Sequence, residues 1–417
     1  MLEGTGRQKM KSERERKTRK DNRGRLLKKG EGQDKNGRYY FIYTGRDGKR
    51  HRIYNMDLIE LREQAKGILR DIEDGIDVDA GKRTLNEQFE RYMSTKDIKQ
   101  STRSKYNTYW NREVRDSIGR KRLSEIKKSD LQIFYKSLKN KGLADGTIKV
   151  YSGNLINPVL ELAFDDDIIR KNPNKGCMKE YTDKPKEKEV LTQEQQDAFL
   201  EYVKNSKKYG IYYPMFQVMF STAFRFSELA GLTWNDVDFD DRTISLNHQV
   251  YYMDYGDGYK YHCESPKSDA GVRVIPMTQN CYKALKLQRE YQFAMGVDRE
   301  KETAGLKGFV FTTTRGTPYN TQNIWTLIRR ISNRYNEEEL ESAEKEGRVP
   351  VIMPDMSSHT FRHTGCTRLA ETKMDVKSLQ EFMGHSDIKV TMDVYDHIVG
   401  NRMKNEIEEA ERKNDAI

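Results

Sequence analysis

The chain has 417 residues, of which 34% are charged, with a formal net charge of +10 and a pI near 9.1. A single ordinary core cannot organise this length, so two or three domains are expected. No run of about 18 apolar residues exists to span a membrane, the N-terminus lacks the apolar stretch of a secretory signal, and Cys177, Cys263, Cys281 and Cys366 form no C-x-x-C pair. Reduced thiols in a cytoplasmic protein are expected, with neither zinc site nor disulfide frame.

The charge is concentrated. The first 52 residues hold 18 Lys and Arg against 7 Asp and Glu, which leaves the remainder near neutral. A basic arm on a balanced body predicts a polyanionic partner. Residues 1–23 are poor in apolar side chains and are expected to be disordered when unbound. Three strands are predicted next, at Leu26–Lys29, Arg38–Tyr43 and Arg50–Tyr54, turning at Asn36-Gly37 and Asp47-Gly48. A helix over 57–74 follows, with Leu58, Leu61, Ala65, Ile68, Leu69 and Ile72 on one face. The sheet's outer face alternates basic residues with tyrosine. Arg38, Tyr40, Arg46, Lys49, Arg50 and Arg52 are its candidate DNA contacts.

Residues 84–172 read as four helices, the third capped by Ser129 and the fourth spanning about 145–164, with Pro173 ending the unit. This stretch is locally basic, and Arg103, Lys105, Arg112, Arg115, Arg120 and Lys121 are candidate DNA contacts. An exposed connection is expected over 175–190. A second unit starts at Leu191, where Thr192 and Gln195 form a capping-box pattern. Helices are predicted to Thr222 and over 227–232, then β structure over 243–276. The remainder is expected to be helical except Phe309–Phe311 and the Glu-rich stretch 336–348.

The candidate chemistry lies in this second unit. A phosphodiester under attack gains negative charge on its non-bridging oxygens. Arginine answers this best, because its planar fork pairs with phosphate oxygens and keeps its proton. Arg225 lies at a helix junction between apolar neighbours, with Glu228 three residues on as a brace. His359 and Arg362 share a face of a helix entered at Ser357 or Ser358, and a helix start adds free N–H groups. His359 and His363 have zinc-ligand spacing, but the glutamate of the metalloprotease motif is replaced by Thr360. Gly384 ends a helix with Val376, Leu379 and Phe382 inward, and Ser386 is expected to cap the next, which delivers Tyr395. A tyrosine hydroxyl, with pKa near 10, needs a proton acceptor and positive charge to attack at neutral pH. His359 can accept that proton. Lys267, in a predicted turn, can supply one to the leaving oxygen.

Arg225-x-x-Glu228-Leu229, Lys267, His359-x-x-Arg362-His363, Gly384-His385 and Thr391-x-x-x-Tyr395-x-His397 together resemble the tyrosine recombinases, the lambda-integrase family. The resemblance implies Arg225 and Arg362 on the scissile phosphate, Lys267 as general acid and His359 as general base. It also implies His385 supporting the phosphate and Tyr395 forming a 3′-phosphotyrosyl link, with no cofactor or metal. One departure is Ala223-Phe224 before Arg225, where Gly-Leu or Gly-Met is commoner; it enlarges local bulk and removes no catalytic group. The implied fold is multidomain and mainly α. It comprises a basic arm (1–23), a three-stranded sheet with one helix as arm-type DNA-binding domain (24–80) and a helical core-binding domain (81–174). The linker (175–190), a mixed α+β catalytic domain (191–400) and a tail helix (401–417) complete it. The sheet unit resembles the arm-binding domain of conjugative-transposon integrases. The implied partners are double-stranded DNA at core and arm-type sites, a homotetramer, and a directionality factor, in the bacterial nucleoid. Val399, Met403, Ile407 and Ala410 form an apolar stripe on the tail, expected to dock on a neighbouring protomer. The alternatives are a type IB topoisomerase-like relaxing enzyme and a non-catalytic DNA-binding regulator.

Overall fold

Alternation and turn chemistry build the first sheet. The computed structural model of the chain describes residues 19–181, 189–266 and 268–395, in two compact units, Met1–Lys184 and Pro185–Ile417. In the first unit β1 (Glu31–Gln33), β2 (Tyr39–Thr44) and β3 (Arg50–Asn55) form an antiparallel sheet in chain order. Gly37 and Gly48 adopt positive φ in the two turns, as Asn-Gly and Asp-Gly predict. Tyr39, Phe41 and Tyr43 point inward onto α1 (Leu58–Glu73), which presents Leu58, Leu61 and Ala65. Leu69, assigned to that face, is exposed. The first strand lies at 31–33 rather than 26–29. Gly30, at φ +87°, turns the chain just before it, and the Glu31 carboxylate accepts from Lys28 N and pairs with Arg62. Residues 19–23, expected within a disordered arm, pack on the sheet. Asp21 is buried, bound by Arg25 and the Tyr39 hydroxyl. Residues 1–18 of that arm lie outside the described residues.

The helical part of the first unit contains α2 (Leu85–Ser94), α3 (Gln100–Tyr109), α4 (Lys128–Asn140), α5 (Asp145–Val150) and α6 (Asn157–Asp165). Wide π turns extend α3 through Val114 and join α5 to α6 over Tyr151–Ile156. The second bulge precedes Pro158, which has no N–H to give the regular ladder. Thr84 and Glu87 form a capping box at α2. The Phe89 and Trp110 rings stack 3.9 Å apart at 8°, and Trp110 Nε1 donates to Asn86. Lys127, not Ser129, is the N-cap of α4; Asp130 accepts from its N–H and pairs with Lys121. Pro173 does not end the unit, and the exposed connection begins later than expected. Asn174 accepts from the Tyr135 hydroxyl and donates to Ser152, Cys177 is buried, and Tyr181 packs on the same core.

In the second unit α7 (Gln193–Asn205) begins with the predicted Thr192–Gln195 capping box. Helices α8 (Tyr213–Thr222) and α9 (Phe226–Gly231) follow. Strands β4 (Val237–Asp238), β5 (Thr243–Leu246) and β8 (Arg273–Pro276) form one sheet in the order β4-β5-β8. Strands β6 (Gln249–Asp254) and β7 (Tyr259–Glu264) form a hairpin. The remaining helices are α10 (Gln279–Ala294), α11 (Thr321–Glu346), α12 (Ser358–Glu371) and α13 (Val376–Met383). Phe361 of α12 lies at the centre of the core, against Phe199, Phe216 and Phe220. Two expectations fail here. Most of the Glu-rich stretch is helical, because α11 buries Tyr335 and Ala343, Arg334 pairs with Glu338 at i+4, and Gly347 closes it at φ +66°. Conversely, 295–320 carries turns and bridges in place of helix. The predicted tail helix lies outside the described residues.

The Phe89–Trp110 stack is wholly buried, so Trp110→Ala is expected to cost about 3–5 kcal/mol. Urea unfolding followed by circular dichroism measures it. A cost under about 1 kcal/mol would contradict this packing.

Candidate active site

Helix α13 ends at Gly384, whose φ of +64° places it in the left-handed region. The last carbonyls of a helix have no intrahelical partner and carry the negative end of its dipole. Here three arginines from three other elements take three successive carbonyls. Arg273 Nε donates to Phe382 O at 2.7 Å, Arg362 Nη2 to Met383 O at 2.9 Å, and Arg225 Nη2 to Gly384 O at 3.1 Å. Gly384 has a second reason to lack a side chain: a Cβ there would lie 2.7 Å from Arg273 Nη1 and 2.9 Å from Ala270 O.

Glu228 is the counter-charge. It is 2% exposed, binds Arg225 Nη1 at 2.7 Å, and receives Arg273 on both oxygens at 3.3 and 3.2 Å. Burial alone would raise its carboxyl, but Arg273 and then Arg225 outweigh burial and hold it below the ordinary value. The brace expected of Glu228 is therefore present, and a second arginine shares it.

Arg362 is buried. Nη1 donates to Ala223 O at 2.7 Å, and Nη2 donates to His385 Nε2 at 2.9 Å. Burial, then Arg225, brings its pKa down to about 10, so it stays charged at neutral pH. Because Nε2 of His385 accepts, its proton sits on Nδ1, 3.0 Å from Thr391 Oγ1. His359 faces the same charge. Burial of the ring first, then Arg362 and Arg225, pushes its pKa below the ordinary 6.5, so it is neutral and able to accept a proton. Helix α12 carries both His359 and Arg362 and is capped by Ser357 with Thr360.

Residues 388–395 are helical, and their cap is Asp387, not Ser386: Asp387 accepts from Lys389 N at 2.9 Å. Thr391 of that helix is fully buried beneath His385, and Tyr395 lies one turn further on. Among the described residues, the Tyr395 hydroxyl is not bonded to an arginine or histidine. It donates to the Met374 carbonyl, and burial followed by Asp375 pushes its pKa up. The structure thus joins Arg362 to His385 directly, holds Arg225 on the adjacent Gly384 carbonyl, and links His359 through its electrostatics, with Tyr395 turned onto Met374. Lys267 lies outside the described residues.

Sequence reasoning missed Arg273. The signal was an inverted alternation. In Val272-Arg273-Val274-Ile275 both valines are exposed, while the Arg273 side chain is 7% exposed and Ile275 is buried.

Among the candidate DNA contacts, Arg38 stacks on Tyr54 and Arg52 on Tyr40, on the sheet's outer face, where Lys49 and Arg50 are also exposed. The Tyr40 ring lies over Gly32, where a Cβ would stand 2.2 Å from it. Lys105 is exposed, and Arg46 reaches Asp167 at 3.3 Å. Arg103 donates to Met93 O and Lys96 O and so closes the end of α2. Arg112 binds the Tyr151 hydroxyl, Arg115 binds Asn111, Arg120 pairs with Asp116 and Lys121 with Asp130. Among the described residues Asp47, His51 and Asp79 have metal-ligand spacing, and the Lys82 ammonium already sits 2.5 Å from Asp79.

Two family models match the chain: "Phage integrase family" over residues 189–402 and "DNA binding domain of tn916 integrase" over residues 15–74. The chain is 31% identical over 394 residues to the transposase from transposon Tn916 of Enterococcus faecalis, covering 91% of this chain and 93% of that one. Its structure is similar to the Tn1549 transposon integrase in complex with transposon right end DNA, with a TM-score of 0.66 at 28% identity over 78% of this chain and 99% of that one. A lambda integrase tetramer bound to a Holliday junction shares the fold, with a TM-score of 0.50 at 15% identity over 88% of this chain and 94% of that one.

Gly384→Ala is expected to destabilise the chain by more than Gly347→Ala. Both glycines are left-handed, which costs about 1–2 kcal/mol with a side chain, but nothing lies within 4 Å of a Cβ at Gly347. Denaturant unfolding of the two variants should differ by at least about 1 kcal/mol; equal losses would mean that Arg273 yields freely.

Proposed function

Because the chain belongs to the phage integrase family of tyrosine recombinases, we propose that it integrates and excises a mobile element, with Tyr395 as nucleophile and Arg225, Arg362 and His385 as the phosphate cradle. The convergence of the arginines on one helix end carries this reading. The Arg225 and Arg362 guanidiniums are fixed by carbonyl or carboxylate acceptors and keep further N–H donors for a phosphate. Donors held in place before charge develops stabilise a transition state without reorganisation.

In the proposed cleavage the Tyr395 hydroxyl exchanges the Met374 carbonyl for the scissile phosphorus. Neutral His359 takes its proton. The oxygen forms a 3′-phosphotyrosyl ester, and the 5′-oxygen leaves with a proton from Lys267. The ester keeps the energy of the broken bond, so a second 5′-hydroxyl can reverse the step without nucleotide. The proposed arm-type reader is the outer face of the sheet, with Arg38, Tyr40, Arg52 and Tyr54, and the helical segment is the proposed core-site clamp. A tetramer on DNA, tail exchange between protomers, a directionality factor and action in the nucleoid complete the proposal. The sheet-and-helix module matched to an integrase DNA-binding domain favours recombination over plain relaxation.

The test uses nicked duplexes tiled across the DNA flanking this chain's own gene, with products run on a denaturing gel. A covalent adduct lost in Tyr395→Phe is expected, and paired sites should yield recombinant product. No adduct on any duplex would favour a regulator, and an adduct without recombinants would favour a relaxing enzyme.

The pH profile is a second test. A base whose pKa lies below its ordinary value stays neutral to lower pH. The acid limb of single-turnover cleavage should therefore fall below the ordinary histidine value of 6.5 and be abolished in His359→Ala. A limb above it would assign the proton elsewhere.

A further inference from the structure

The residue most tightly built into this site is one that the cleavage scheme leaves without a role. We propose that Arg273 is a positioning residue for cleavage, seating Glu228 so that Glu228 orients Arg225, without itself touching DNA. The inference rests on the assignment of Arg225 to the phosphate.

Geometry separates Arg273 from Arg225. Its side chain is 7% exposed, against 37% for Arg225. Nε goes to Phe382 O, one Nη1 hydrogen each to Gly271 O and Glu228, and Nη2 to Glu228. Four of the five N–H donors are thus committed inside the protein. Arg225 has the reverse character: bound to Glu228 and Gly384 O, it keeps an open side.

Chemistry then requires a second cation. Glu228 is too deeply buried to remain a carboxylate beside one half-exposed arginine alone. The ionisable groups facing it are Arg225, Arg273 and Arg362, with Tyr251 from β6; His248 sits further along α9, on Gly231 O. Arg362 is committed to Ala223 O, Met383 O and His385. Tyr251 is held above its ordinary value by burial, so it is neutral and brings no positive charge. Arg273 is the second cation, placing one guanidinium nitrogen on each carboxylate oxygen, where Arg225 places its guanidinium on Oε1 and its backbone N–H on Oε2. Strand β8 delivers it, because Ile275 anchors the same inward face in the core. Without Arg273, burial dominates. Glu228 takes a proton near neutral pH, its bond to Arg225 loses its charge, and the phosphate loses an oriented guanidinium. Raising the pH restores the carboxylate.

The experiment uses the full chain and whichever nicked duplex gives the adduct with the parent protein. Single-turnover cleavage at saturating protein is measured from about pH 7 to about pH 9, each variant as a ratio to the parent at the same pH. Arg273→Gln should cleave at least about tenfold slower at neutral pH and recover most of that loss as pH rises, with DNA affinity unchanged. Adding Glu228→Gln should abolish the recovery. Arg273→Lys, which keeps a charge beside Glu228, should stay within about threefold of the parent across the range. A pH-independent loss in Arg273→Gln, no loss, or a Lys variant as slow as the Gln variant would each overturn the proposal. If Arg273→Gln does not fold, as read by thermal unfolding, the Lys variant decides alone: a loss above about tenfold overturns it. A parent that forms no Tyr395-dependent adduct refutes the reading of the site itself, and the inference falls with it.

Discussion

The end of α13 is where the second unit's geometry is decided. Three positive charges within a few ångströms repel one another, and burying them is costly. Two features offset this. Successive carbonyls at a helix C-terminus present concentrated negative potential, and Glu228 supplies a full counter-charge at the centre. Removing any one acceptor leaves a buried cation short of partners, which costs more than the pair contributes when intact. Arg362 shows the tension: burial and Arg225 together lower its pKa to about 10, yet it stays charged.

These groups come from α9, β8, α12 and α13, residues separated by up to 159 positions. No local segment can form the cluster, so it assembles only when the unit's core does. Phe361 follows His359 by two residues and precedes Arg362, and it stacks at the core centre. Gly365, one turn on, allows the close approach of α12 to α8, since a Cβ there would stand 2.4 Å from Phe220 O. Packing of an apolar helix face thereby places a charged one.

Legibility in the sequence followed the reach of each interaction. The proposed site residues Arg225, His359, Arg362, His385 and Tyr395 stand out in the sequence because their types and spacing are local signals. Two caps were misread. At α4 the helix starts earlier, with Lys127 as N-cap and Asp130 accepting from its N–H, and Asp387 takes the place assigned to Ser386, because carboxylate and hydroxyl both accept from a backbone N–H and sequence alone does not rank neighbours. The Glu-rich part of α11 looked like loop by charge, while its ion pairs and its burial of Tyr335 and Ala343 were set by the fold. Ala223 was read as a matter of bulk. Its significance is conformational: at φ +49° it ends α8 left-handed and offers its carbonyl to Arg362. The commoner glycine would reach that conformation without the steric cost that alanine bears, about 1–2 kcal/mol.

The clustered arginines and Tyr395 are held with different strengths. Each arginine is fixed by at least two acceptors, several of them charged or at a helix end. Tyr395 is tied at its hydroxyl to one backbone carbonyl, a bond worth only about 0.5–1.5 kcal/mol net. On the proposed reading, a phosphate held by the arginines competes with Met374 for that hydroxyl without disturbing them. The Thr391–His385 contact connects the 388–395 helix to the arginines, since His385 binds Arg362 on one ring nitrogen and Thr391 on the other. On the proposed reading the phosphate site stays preorganised while the nucleophile is withheld and protonated, because among the described residues the arginines and the Tyr395 hydroxyl share no acceptor.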